Sequence, residues 1–337
     1  MRASFSPTPG LGNRHLQTIW GAVLRPRPPL SLQRESWPLP DGESLDLHFA
    51  AEQPDRPGVV VLHGLEGSAH ARYMLGLLHR LQREGWNAAA FDFRSCGERA
   101  RRAGREARAT SFYHAGKTDD LAFVVDRLRA RWGPAPLAAV GFSLGGNLLL
   151  KWLGETGTNN PLSAAAAISV PFDLGACAQA IDHGGFWAFV YRERFLRSLR
   201  RKALGAVARY AGKLDARAIR ACRSFAAYDG AVVAPLYGFA SAEDYWARCS
   251  ARGFLGDIRR PTLLIGAADD PFVPAASVPT DLIAENPALS LCWVERGGHV
   301  GFVAGTPLAP RYFAEEITAE FLAARFGTAS IDVALAR

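Results

Sequence analysis

The segment Leu137-Ala-Ala-Val140-Gly141-Phe142-Ser143-Leu144-Gly145-Gly146 limits the possible folds of this chain more than any other. A continuous apolar run leads into Gly141-Phe142-Ser143, and Asn147-Leu-Leu-Leu-Lys-Trp-Leu153 follows with the composition of a buried helix. A Gly-x-Ser-x-Gly between a buried strand and a helix places the serine on a sharp, strained turn, its hydroxyl above the sheet. Such a turn needs small neighbours, and Gly141, Gly145 and Gly146 supply them. The helix N-terminus sets partial positive charge beside the serine, where a developing anion would be stabilised. The five-residue spacing alone is common by chance; its context carries the weight.

The rest of the chain fits a sheet around that turn. Gly58 to Leu62, Asn87 to Phe93, Ala164 to Val170, Pro261 to Gly266 and Leu289 to Glu295 read as further buried strands. Helical spacing appears over Tyr73 to Arg83, Asp119 to Trp132 and Leu308 to Arg325, with a further helix from about Gly145 to Leu153. Alternation of this kind predicts a mostly parallel sheet covered on both faces by helices. Ser31 to Trp37 and Leu45 to Phe49 predict an antiparallel hairpin around Pro40-Asp41-Gly42. The rhythm breaks over 171–257, which is helical in pattern and rich in aromatics and arginine. The expected organisation is a core of residues 1–170 and 258–337 with a helical cap, 171–257, inserted into it.

At 337 residues, with 49% hydrophobic and 21% charged residues, the composition is that of a soluble globular protein. The N-terminus lacks the apolar stretch of a signal peptide, and no run reaches membrane-spanning length, which points to a cytoplasmic protein. Five scattered cysteines indicate reduced thiols rather than a disulfide scaffold. The net charge of +7 is concentrated in Arg94 to Arg108 and Arg192 to Lys202, which read as solvated basic faces. No nucleic-acid-binding module accompanies them. Neither metal-ligand spacing nor a Gly-x-Gly-x-x-Gly after the first buried strand is present, so neither metal nor dinucleotide cofactor is expected.

The serine has partners of the right type in the right order. His299, in Gly297-Gly-His299-Val-Gly, lies between the last strand and the last helix and suits a general base. Asp269-Asp270-Pro-Phe-Val-Pro274 follows the preceding strand and offers two carboxylates. Asp270 is the preferred partner of His299, with Asp269 making loop hydrogen bonds. His63-Gly64-Leu65-Glu66-Gly67 follows the first buried strand, and Leu65 and Leu144 are the expected main-chain donors of an oxyanion hole. His63 reads as shaping its loop, Cys96 as a packing thiol, and His114 as a structural residue opening a helix.

Taken together, these motifs resemble the YheT-like branch (AB hydrolase 4, UPF0017-type) of the α/β-hydrolases. Asn13-Arg-His-Leu-Gln-Thr18, Tyr113-His-Ala-Gly116, Tyr228-Asp229 and Ala234-Pro-Leu-Tyr-Gly-Phe239 extend the resemblance over most of the chain. Arg14 replaces a usual proline, Ser95 interrupts an Arg-Gly-Cys turn, and the stretch from Arg99 to Arg108 is longer than expected. The resemblance implies the α/β-hydrolase fold and a carboxylesterase or lipase-like activity through Ser143, Asp270 and His299. The substrate would be a small-molecule or lipid ester. An acyltransferase or a non-catalytic binding protein of the same fold are the alternatives. Leu196, Leu199, Ala203, Val207 and Tyr210 share one helical face, with Arg194, Arg197 and Arg201 off it. That pattern suits a cap packed on the core or a peripheral membrane contact.

Overall fold

The computed structural model describes residues 5–97 and 111–328; the stretch 99–108 lies outside them. Strands β1 (Gln33–Pro38) and β2 (Ser44–Ala51) form the expected hairpin, with Trp37 opposite Leu45. The strands β3 (Gly58–Leu62), β4 (Asn87–Phe91), β5 (Leu137–Phe142), β6 (Ala164–Ile168), β7 (Thr262–Ala267) and β8 (Leu289–Val294) complete an eight-stranded sheet. Its order is β1-β2-β4-β3-β5-β6-β7-β8. Only the β1–β2 and β2–β4 pairings are antiparallel. Every residue of β3 to β7 is buried, because helices cover both faces.

The pleat divides the core into two layers. Leu62, Phe91, Ala139 and Ala165 face one side, where Leu121 and Leu128 of α3 (Asp119–Trp132) and Leu148 of α4 (Leu144–Thr156) pack. Val61, Ala90, Val140 and Ala166 face the other, against α2 (Arg72–Arg83) and α12 (Phe313–Phe326). Leu77, Leu78 and Leu81 are wholly buried there, and each truncation to alanine would cost about 2–5 kcal/mol. A short helix, α1 (Arg14–Ile19), precedes the sheet. The Asn13 carboxamide oxygen caps it by accepting from the main-chain N–H groups of His15 and Leu16.

Between β6 and β7, which are neighbours in the sheet, the chain makes an excursion of helices and turns. Its helices are α5 (Leu174–His183), α6 (Phe186–Ala206), α7 (Ala216–Ala221), α8 (Phe225–Tyr228), α9 (Ala234–Tyr237) and α10 (Ala242–Cys249). Its apolar side merges with the α3/α4 layer. Asn147 of α4 ties the two together: its amide donates to the carbonyls of Ala115 and Cys249 and accepts from the Ala251 N–H. Helix α11 (Thr280–Glu285) follows β7.

Three sequence readings change. The helix expected from Leu308 starts at Phe313; before it, β9 (Val303–Thr306) and β10 (Ala309–Tyr312) form a separate hairpin. Pro307 and Pro310 disfavour helical backbone at the residues before them, Thr306 and Ala309, which lie in the two strands. His114 does not open a helix, since α3 starts at Asp119. Arg94 and Lys202 are not solvated: both are buried against carboxylates, Arg94 in a bidentate pair with Asp120 at 2.7 Å. All five cysteines are free. Among the described residues, no helix is long and apolar enough to cross a membrane.

Candidate active site

The loops at the carboxyl ends of β3, β5, β7 and β8 converge, as the loops of an open parallel sheet do where ligands bind. Ser143 lies between β5 and α4 with φ +51° and ψ −119°, a conformation that is strained for a residue with a side chain. Its N–H donates to the Ile168 carbonyl at 2.8 Å, fixing the turn to β6. Crowding explains the glycines. A Cβ on Gly145 would lie 2.5 Å from the His63 carbonyl oxygen, closer than any side chain tolerates.

His299 Nε2 is 2.9 Å from Ser143 Oγ, and His299 Nδ1 is 2.8 Å from Asp270 Oδ2. Asp270 is held by its own loop, its Oδ1 accepting from the main-chain N–H groups of Phe272 and Val273. Asp269 points elsewhere. Its Oδ1 accepts from the N–H groups of Gly297 and Gly298, so it fastens the loop that carries His299. Two further hydroxyls complete that loop. Thr18 Oγ1 accepts from the His299 N–H at 2.9 Å, and Ser169 Oγ accepts from the Val300 N–H at 3.0 Å.

The loop after β3 lies against the serine: a Cβ on Gly64 would sit 3.1 Å from Ser143 Cβ. Leu144 is the first residue of α4, so its N–H is one of the donors a helix leaves unpaired at its start. Leu65 lies in the turn Gly64–Gly67 and shares the cavity wall with Ser143 and Leu144. Tyr73 accepts from the Gly64 N–H at 3.0 Å, and Tyr113 accepts from the Glu66 N–H at 2.8 Å. Together they pin the turn.

His63 faces away from this cluster. Its Nε2 accepts from the Phe93 N–H at 3.0 Å, which leaves Nδ1 to donate to the Gly64 carbonyl at 2.7 Å. Burial lowers its pKa, so the ring is a neutral strut with both nitrogens engaged. Burial likewise pushes the Cys96 thiol up to about 12, which suits packing and not nucleophilic chemistry. The His114 pKa is lowered to about 4, first by burial and then by Lys117.

The site opens into a cavity of about 730 Å³ whose floor carries Ser143 and His299. Its roof comes from the excursion, through residues such as Tyr191, Phe195, Tyr228 and Trp246. Two polar features of the excursion face it. Lys202 of α6 is buried, with its Nζ 2.8 Å from Glu66 Oε1 in the turn beside the serine; Tyr113 donates to the same oxygen at 2.9 Å. Asp229 is buried and accepts from Trp246 Nε1 at 2.8 Å, and desolvation raises its pKa to about 7.

Residues 57–306 match the α/β hydrolase fold family. The chain belongs to that family. It is 35% identical to an Escherichia coli protein named "Putative esterase YheT", over 95% of this chain and 93% of that one. It is 27% identical to a mouse phospholipase, ABHD3, over 90% of this chain and 74% of that one. Among solved structures, a Pyrococcus furiosus esterase shares the fold with a TM-score of 0.57 at 18% identity, over 97% of both chains.

The structure of this α/β-hydrolase brings Ser143, His299, Asp270, Leu65 and Leu144 to one place and leaves His63, Cys96 and His114 in packing positions. Sequence reasoning missed Thr18, Ser169 and the Lys202–Glu66 pair. Thr18 lay inside the quoted Asn13-Arg-His-Leu-Gln-Thr18 motif and Glu66 inside the 63–67 loop, so both carried a signal. Lys202 carried none, because it was counted among the arginines of a surface run.

Proposed function

We propose that this α/β-hydrolase cleaves carboxylic esters through a Ser143–His299–Asp270 relay. The observation that carries the reading is the continuous hydrogen-bonded line from Ser143 Oγ through His299 to Asp270 on the floor of the cavity. Family membership and the esterase and phospholipase relatives support the same class.

In this mechanism His299 Nε2 takes the Ser143 proton as Oγ attacks the ester carbonyl carbon. The carbonyl oxygen becomes an oxyanion facing the N–H groups of Leu65 and Leu144. His299 then returns the proton to the departing alcohol, leaving an acyl group on Ser143. A water gives its proton to His299 and attacks the acyl carbon; His299 then passes that proton to Ser143 Oγ as the acid leaves. Asp270 holds the imidazole tautomer with Nδ1–H donated to it and stabilises the transient imidazolium. The excursion 171–257 acts as a cap over the acyl-binding cavity. Its aromatic and aliphatic lining suits an apolar acyl chain, and the substrate class is therefore a lipid or other acyl ester.

A fluorophosphonate probe should label the native protein at Ser143 and leave the Ser143→Ala variant unlabelled. Hydrolysis of p-nitrophenyl esters should fall with it, on the order of 10⁶-fold. Equal labelling of the two proteins would remove the reading.

A further inference from the structure

Nine large hydrophobic side chains are exposed among the described residues, and seven of them fall in two short stretches. Leu16, Val23 and Leu24 belong to α1 and the π-helical turn Trp20–Leu24 after it; Phe186, Trp187, Phe189 and Val190 open α6. Phe186, Leu24 and Phe189 are 73%, 56% and 51% exposed, so these are not side chains half-tucked into the core. The two stretches touch. The His15 ring stacks on Trp187 at 4.9 Å, and His15 Nδ1 is 3.2 Å from the Tyr191 hydroxyl. Both also border the cavity, through Ile19 and Val23 on one side and Tyr191 and Arg194 on the other. The apolar patch is therefore the rim of the opening above Ser143.

Its charge is one-sided. No acidic residue precedes Glu35 in the chain, and Glu193 is the only acidic residue between Gly184 and Leu214. Glu193 is paired with Arg200 at 3.2 Å. Along α6, Phe186, Val190, Arg194 and Arg197 follow at helical spacing as one exposed ridge, apolar first and cationic after. Arg14 and Arg27 are exposed on the opposite stretch. Aromatic and aliphatic side chains bordered by arginines, with Glu193 paired to Arg200 and Asp269 turned to the His299 loop, match the boundary between headgroups and acyl chains of an anionic bilayer.

We propose that this rim docks on an anionic lipid surface, with Phe186, Phe189 and Leu24 entering the interface and the arginines resting on the headgroups. An ester drawn from the bilayer would then enter the cavity acyl chain first without crossing water. The proposal rests on the ester-hydrolase reading for its purpose, though docking itself needs no catalysis.

The test is flotation of the full chain with vesicles of phosphatidylcholine alone and of phosphatidylcholine mixed with phosphatidylglycerol. The native protein and its Ser143→Ala variant should both float with the mixed vesicles, stay behind with phosphatidylcholine alone, and be released by raised salt. Phe186→Ser with Phe189→Ser should weaken binding at least about 100-fold, and Arg194→Gln with Arg197→Gln roughly 30-fold. Hydrolysis of a water-soluble p-nitrophenyl ester by the Phe186→Ser/Phe189→Ser protein should remain at the native rate, which separates docking from chemistry. Equal flotation of native and variant proteins would overturn the proposal, as would indifference to phosphatidylglycerol. A concentration-dependent dimer lost in the phenylalanine variant would overturn it too, by assigning the rim to a second copy of the chain.

Discussion

The floor and the roof of the cavity are made in different ways. On the floor, the main chain itself is bent into place: Glu66, Ser95, Ser143, Ser169, Val300 and Phe302 all have φ between +47° and +59°. These sit beyond the carboxyl ends of the strands, and Val300 is β-branched, for which that region is a marked outlier. The excursion 171–257 has no such residue outside glycine. It is ordinary helix, held to the floor by side chains: Lys202 on Glu66, Tyr245 on the Ala115 N–H and Asn147 on the Cys249 carbonyl. Bent main chain is concentrated on the floor, and regular helix covers it. Substitutions on the floor should therefore change rate with little change in stability, and substitutions at the seam the reverse.

The sharpest break in that contrast comes from the two adjacent aspartates. Asp270→Asn should lower kcat by about 10⁴-fold, because the amide favours the wrong tautomer of His299. Asp269→Asn keeps an oxygen for Gly297 and Gly298 and should cost far less; steady-state kinetics on one soluble ester compares them. Comparable losses from both would mean that Asp269 shares the role assigned to Asp270.

At the seam, Lys202→Met leaves the Glu66 carboxylate buried without its ammonium partner and should destabilise the protein by about 3–5 kcal/mol. Denaturant titration reads this, and Lys202→Met with Glu66→Gln should recover most of it. A variant of full stability but crippled turnover would move Lys202 from the seam to the floor.

The smallest effect belongs to Asp229 on the roof. Its pKa is raised to about 7 in the folded protein by burial, whereas unfolded it titrates near the ordinary carboxylate value. The folded state thus binds the extra proton between those values. The stability from that proton is present at low pH and is lost as pH rises through about 7. Asp229→Asn cannot ionise, so its melting temperature should gain on the native protein by a few degrees across that window. Parallel melting curves from acid to neutral pH would show that Asp229 is not held protonated.

The same contrast explains what could be read from the sequence. The floor was legible because each part is local: a buried apolar run, then a loop with a short motif, in chain order. β3, β5 and α3 fall where hydrophobic period places them, and Ser143, Asp270 and His299 each follow a strand. The seam was not legible. Lys202 and Glu66 are 136 residues apart, and a lysine in an arginine-rich helix gives no local sign that its partner is a buried carboxylate. Arg94 misled for the same reason, its partner Asp120 lying 26 residues on. The β9–β10 hairpin was missed because its four-residue strands are half exposed and show no period long enough to count.

The hydrogen bond from the His299 N–H to Thr18 spans 281 residues, and its neighbourhood is packed to the backbone. A Cβ on Gly298 would lie 2.5 Å from the Arg14 carbonyl oxygen, and Gln17 both donates to and accepts from Val303. Helix α1 is thus a splint on the loop that carries His299, and it lies outside residues 57–306, the span that matches the family. Shortening the chain to begin at the β1 hairpin would keep every strand of the large sheet but take Thr18 and Gln17 from the His299 loop and Arg25 from the buried Glu315 carboxylate.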